Sequence, residues 1–114
     1  MSGLKNLFEQ VDFNKNSEEF IEEILSRQNN FRIERIVSQG HVSPKDFWYD
    51  QDEFEWVAVL QGEAELEFKD YKIKLKPGDY VLIEPHELHR VSWTSSAPQC
   101  VWLAVFFKFK DERA

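Results

Sequence analysis

The stretch WYDQDEFEWVAVLQGE (Trp48–Glu63), read together with KPGDYVLIEPHELHR (Lys76–Arg90), decides the fold. In the first, Phe54 to Gln61 is a strongly apolar run closed by Gly62-Glu63, which predicts a strand and a turn. In the second, Pro77-Gly78-Asp79 is a turn and Tyr80 to Ile83 a strand. Glu84 to Leu88 is then a loop, from which His89, Val91 and Trp93 emerge at strand spacing. Between the two blocks Ala64, Leu66 and Phe68 alternate with Glu63, Glu65, Glu67 and Lys69. Past Lys69-Asp70 the alternation resumes, with Tyr71, Ile73 and Leu75 set against Lys72, Lys74 and Lys76. A tight hairpin at Lys69-Asp70 therefore places acidic and basic side chains opposite one another on the solvent face. The two blocks read as consecutive hairpin units that deliver polar side chains to one interior.

Outward from this centre, Phe31, Ile33, Arg35 and Val37 alternate with Arg32, Glu34, Ile36 and Ser38, a strand ended by Gln39-Gly40. Ser43-Pro44 marks a loop, and so does TSSAPQ (Thr94–Gln99). CVWLAVFFKF (Cys100–Phe109) is a continuous apolar strand, buried on both faces or paired against a second subunit. On the N-terminal side Ser17 offers a cap, Glu18 and Glu19 suit a first helical turn, and Phe20, Ile21, Ile24 and Leu25 make an apolar stripe. This predicts one short amphipathic helix, Ser17 to Arg27, across an open end of the barrel. Residues 1–30 are thus an N-terminal arm and helix, 31–109 a β-barrel, and 110–114 a charged, frayed end. The expected class is all-β, with seven or eight short strands and one short N-terminal α-helix.

The chain has 114 residues, 42% of them hydrophobic, which suits one domain with a modest core. Dimerisation through an apolar sheet face is then a natural supplement, and the surplus apolar surface of Val101 to Phe109 makes a homodimer the expectation. A net charge of −7 argues against a nucleic-acid partner, which needs a basic face. No apolar run approaches ~20 residues, so no membrane span is expected. MSGLKNLFEQ lacks the uncharged core of a signal peptide, and the single Cys100 fits a reducing compartment, so the expected location is cytoplasmic.

The two blocks resemble the paired motifs of the cupin superfamily. Glu55 is followed by six residues and then Gly62, as in the second half of the first cupin motif. Gly78 within Pro-Gly-Asp opens the second motif, and His89-Arg90-Val91 falls where that motif's histidine belongs. The similarity runs from about Phe31 to Phe107 and implies a double-stranded β-helix, or jelly-roll barrel. The departures are equally specific. The first motif's two histidines are replaced by Tyr49 and Gln51, or by Trp48 and Asp50 in the alternative spacing. The second motif's proline is Glu84, its glycine His86 and its asparagine Trp93. Of the four metal ligands the resemblance implies, Glu55 and His89 remain.

Strand periodicity puts Tyr49, Gln51, Glu53 and Glu55 on one face, with His89 reaching in from the neighbouring hairpin. One imidazole, one carboxylate and one amide oxygen make a site for a divalent metal such as Mn, Fe, Ni or Zn, and Asp50 adds a carboxylate if a bulge turns it inward. On that reading the protein acts on a small polar molecule, sugar- or carboxylate-like. His86 and Tyr49 then handle protons, and Trp93 and Tyr49 line the pocket. The resemblance admits isomerase, epimerase or dioxygenase chemistry, because this fold hosts many activities. Two other readings stand beside it: a metal-free pocket that binds a small ligand without catalysis, and a buried structural pair. Trp48, Trp56 and Trp102 are expected in the core or an interface, and Cys100 as a small buried hydrophobe.

Overall fold

The computed structural model describes residues 4–13, 18–27 and 30–109. Among them are eight strands: β1 (Phe20–Arg27), β2 (Phe31–Ser38), β3 (Phe54–Gln61), β4 (Ala64–Phe68), β5 (Lys72–Leu75), β6 (Tyr80–Ile83), β7 (His89–Thr94) and β8 (Cys100–Phe107). They form a five-stranded sheet ordered β1-β2-β8-β3-β6 and a three-stranded sheet ordered β5-β4-β7, with every pairing antiparallel.

The most apolar run takes the most enclosed place. β8 lies between β2 and β3, and its Cys100, Trp102, Ala104 and Phe106 point into the core. Val57 and Val59 of β3, Leu66 and Phe68 of β4, Leu75 of β5 and Ile83 of β6 pack against them. Burying a side chain such as Ile83 stabilises by about 1.5–3 kcal/mol relative to leaving it exposed. The β4–β5 hairpin turns at Lys69-Asp70, where Phe68 N–H donates to the Tyr71 carbonyl at 2.8 Å. Glu65 faces Lys74 and Glu67 faces Lys72 in register. The lysines lean along the diagonal, Lys72 toward Glu65 (3.8 Å) and Lys74 toward Glu63 (3.6 Å). On an exposed face such pairs add only about 0.2–1 kcal/mol each, so they serve register more than stability.

The expected helix is not formed. Phe20–Arg27 is strand β1, paired along its length with β2, and Ser17, the expected cap, lies outside the described residues. A helix this short is marginal alone, whereas the free edge of β2 satisfies the segment's backbone groups. A bulge between Glu23 and Leu25 breaks the two-residue period, which is why the apolar spacing imitated a helix. The arm before β1 is tied down by buried Arg35, whose Nη1 donates to the carbonyls of Leu7 (3.3 Å) and Glu9 (2.8 Å). Gln99 Nε2 also donates to the Val11 carbonyl at 2.7 Å. Among the described residues no helix is long and apolar enough to cross a membrane.

Candidate functional site

A cavity of about 270 Å³ is lined from both sheets and from the segment that leads into β3. Its polar wall comprises Tyr49, Gln51, Glu55 and His89, with Glu19, Arg32 and Glu34 on the β1–β2 side. The apolar wall includes Leu66, Val91, Trp102 and Phe106.

His89 opens β7, and its backbone is bridged to Tyr49: Tyr49 N–H donates to the His89 carbonyl at 2.7 Å, and His89 N–H to the Tyr49 carbonyl at 3.3 Å. The two rings stack with centroids 5.4 Å apart, and His89 is 3% exposed. Its Nδ1 lies 2.8 Å from the Glu87 carbonyl. A carbonyl only accepts, so Nδ1 carries a proton and Nε2 faces the cavity. There Nε2 is 3.4 Å from Glu55 Oε1, which also accepts from Gln51 Nε2 at 3.1 Å. Burial opposes charge on His89, but the Glu55 hydrogen bond, the Glu87 carbonyl and the charge of Glu55 outweigh it and hold the imidazole above its ordinary value.

The same cavity perturbs two further groups. Burial, then the charges of Glu19 and Glu55, push the Tyr49 hydroxyl up, so it remains a protonated donor. Burial also raises Glu19, against the Ser38 hydroxyl that donates to it at 3.0 Å. Arg32 is engaged through two nitrogens and its plane: Nη1 reaches both Glu53 oxygens (2.8 and 2.6 Å), Nε reaches Glu34 (3.0 Å), and its guanidinium lies 3.9 Å over the Phe106 ring. Glu53, expected on the inward face, is turned to this ion pair.

Of the residues singled out in the sequence, Tyr49, Gln51, Glu55 and His89 converge on the cavity; Asp50, His86 and Trp93 do not. The Tyr49–His89 bridge fixes the pleat so that Tyr49 and Gln51 face in and Asp50 faces solvent. Asp50 instead accepts from the exposed His86, with Oδ1 2.7 Å from Nδ1. His86 takes a left-handed backbone conformation (φ 63°) in the loop before β7. Trp93 shares sequence parity with His89, but β7 bulges between Val91 and Trp93, where Glu65 pairs with Trp93 and Leu66 with Val91. The extra residue, Ser92, flips the parity. Val91 therefore faces the cavity while Trp93 is 41% exposed, with Lys74 over its ring. Sequence reasoning missed Trp102, Glu19 and Arg32. Trp102 was assigned to core or interface, and its indole Nε1 is buried with no partner among the described residues.

The donor set can be tested against a divalent metal. Such ions need three or four strong donors. Among the described residues no group of three or more His, Cys, Asp or Glu side chains converges in a metal-holding arrangement. Glu55 and His89 supply two strong donors, held against each other at 3.4 Å, and Gln51 can add only a neutral amide oxygen. The set as folded does not fit a chelated divalent metal. As folded, its polar groups are His89 Nε2 beside Glu55 Oε1, with the Gln51 amide donating to the same oxygen.

Comparison with known proteins gives the family. The Cupin domain matches residues 34–106. A candidate mannose-6-phosphate isomerase from Ralstonia eutropha JMP134 is 36% identical, with 95% of this chain and 100% of that chain covered and a TM-score of 0.85. An RmlC-like cupin protein from Desulfovibrio desulfuricans is 20% identical over 94% of this chain and 97% of its own, with a TM-score of 0.70. A conserved double-stranded β-helix protein from Klebsiella pneumoniae is also 20% identical, over 94% and 90%, with a TM-score of 0.72. The comparison with curated proteins returns no match. With the motif remnants at Glu55–Gly62, Gly78 and His89 set on two facing antiparallel sheets, and with the domain match spanning most of the barrel, the chain belongs to the cupin family.

Proposed function

We propose that the cavity is a metal-free binding site for a small polar molecule, held through the His89–Glu55–Gln51 cluster. One observation carries this: a largely buried imidazole–carboxylate pair faces a cavity whose remaining walls are mostly apolar. A few placed polar groups in an apolar hollow are the usual make-up of a small-molecule site, and about 270 Å³ is near the lower end of the roughly 300–1,000 Å³ range. His89 Nε2 and the Tyr49 hydroxyl are the groups able to donate to a ligand or pass it a proton. The isomerase name of the Ralstonia relative is consistent with proton transfer at such a pair.

The second reading, a divalent metal among Mn, Fe, Ni and Zn, is favoured by one feature. His89 Nδ1 is fixed by a backbone carbonyl, the second-layer contact that metal-bound histidines use. Metal analysis of protein purified without an affinity tag separates the two. The metal-free reading expects substoichiometric metal and a melting temperature unmoved by each of the four ions. Stoichiometric metal that disappears in a Glu55→Ala/His89→Ala double variant overturns it.

We also propose that two copies pair along β1. β8 is paired on both edges, and within the expected surplus at Val101–Phe109 the side chain of Phe109 (74%) stands exposed while Val101 and Trp102 are buried. Exposed apolar side chains stand on both edge strands of the larger sheet, at Tyr80 (67%) and Leu82 (47%) on β6 and at Ile21 (55%), Ile24 (44%) and Leu25 (53%) on β1, which carries the three aliphatic ones. An apolar edge strand with unpaired backbone groups is a template for a second chain.

A further inference from the structure

We infer that His86 is a positioning residue for the cavity. By gripping Asp50 with its ring and Gln51 with its backbone N–H, it keeps the Nδ1 side of His89 on the Glu87 carbonyl and the Gln51 amide on Glu55. The inference rests on the binding-site reading above and adds to it two residues, His86 and Asp50, that lie outside the cavity.

The turn that carries His86 is the first observation. In Glu84-Pro85-His86-Glu87 proline stands at the second position and His86, with φ 63°, at the third; Glu87 N–H closes the turn on the Glu84 carbonyl at 3.1 Å. These are the marks of a type II turn, whose third position favours glycine or asparagine. A histidine there carries backbone strain that a glycine would not. Two contacts to the segment before β3 offset it. His86 N–H donates to the Gln51 carbonyl at 2.7 Å, and the ring reaches Asp50 Oδ1 from Nδ1 at 2.7 Å. A carboxylate only accepts, so Nδ1 is the donor. The two side chains are 67% and 55% exposed. Ion pairs so exposed add little to stability, so this one matters for where it puts the chain.

Both ends of the grip lead into the cavity. Glu87, next to His86, offers its carbonyl to His89 Nδ1 at 2.8 Å. His89 Nε2 faces Glu55 Oε1 at 3.4 Å, and Gln51 Nε2 donates to that same oxygen at 3.1 Å. Gln51, Glu55, His89, Glu87 and His86 therefore form a closed ring, which returns to Gln51 through the His86 N–H. The Asp50–His86 contact sits beside that last link and keeps it shut. A fixed acceptor at Nδ1 is what leaves Nε2 turned to the cavity, so the grip orients the imidazole without touching it.

The test follows the proton on His89 Nδ1 in protein with labelled imidazole nitrogens and no added ligand, assigned by its contact with the Tyr49 ring. In wild-type protein a distinct, slowly exchanging signal is expected. Asp50→Ala removes the acceptor, and His86→Gly removes the ring while easing the turn; each should speed that exchange at least about tenfold, through local opening. Asp50→Asn keeps an acceptor oxygen and should stay near wild type. Urea unfolding should find little loss of global stability in any of the three. Should one variant fail to fold, the other decides. Exchange at the wild-type rate in Asp50→Ala or His86→Gly overturns the inference, as does Asp50→Asn exchanging as fast as Asp50→Ala. A stability loss large enough to account for the faster exchange overturns it too, and so does a wild-type protein without the signal. None of these readings uses a ligand or a metal, so their failure leaves the binding-site reading standing; that reading falls on the metal analysis instead.

Discussion

His89 Nε2 lies 3.4 Å from Glu55 Oε1 while His89 Nδ1 is held by the Glu87 carbonyl at 2.8 Å, so the imidazole has an acceptor at both nitrogens. That arrangement favours the doubly protonated ring, and His89 is raised above its ordinary value although burial alone would lower it. A group raised on folding stabilises fully below its unfolded value, about 6.5, and loses that contribution as pH rises through the folded value. Glu55→Gln is therefore expected to cost about 1.5–3 kcal/mol at around pH 6 and clearly less near pH 9. Urea unfolding of both proteins at the two pH values checks this. An equal loss at both would remove His89 charging from the account.

Gly62 closes the β3–β4 turn with φ +74°, and a Cβ there would stand 2.5 Å from Ser95 Oγ, 2.8 Å from the Gln99 carbonyl and 2.9 Å from Cys100 Cα. Gly78, at φ +93°, has open space around it. Both alanine variants carry the cost of a left-handed backbone, roughly 1–2 kcal/mol. Gly62→Ala must also push backbone aside, so it should lose distinctly more stability than Gly78→Ala in the same denaturation assay.

Burial, followed by the charge of Glu19, pushes the Cys100 thiol up to about 12. Thiolate is the reactive form, so a disulfide reagent near pH 8 should label native protein very slowly and react fully once urea is added. Rapid labelling of native protein would show that β8 opens far more readily than its central position implies.

If β1 is the contact between copies, Ile24→Glu/Leu25→Glu should convert a dimer into a monomer measured by light scattering. The fold should survive, because both side chains are exposed in the single chain. A wild-type monomer at high concentration would end this proposal.

The sequence carried most of the architecture because strands β2 to β8 follow plain alternation or continuous apolar runs, bounded by Gly, Pro and Asp turns. Glu55 and His89 were legible through their motif positions, and Tyr49 and Gln51 through strand parity. Parity failed at Trp93, because a bulge depends on how two strands pair and leaves no mark in one chain. The helix assigned to Ser17–Arg27 failed for a related reason: a bulged edge strand and a short amphipathic helix can share the same apolar spacing. Trp102 was illegible in another way. Its surroundings read as core, and only the folded structure shows a buried indole N–H without an acceptor among the described residues.

Among the described residues β8 is the middle strand of the larger sheet, flanked by β2 and β3. Neither neighbour can complete its pairing without it, so the sheet cannot close until Cys100–Phe107 docks. Trp102 and Phe106 come with that strand, and the same docking step completes the cavity wall. Loss of β8 would leave β1-β2 and β3-β6 as unjoined ribbons, and the hollow between the sheets would have no floor.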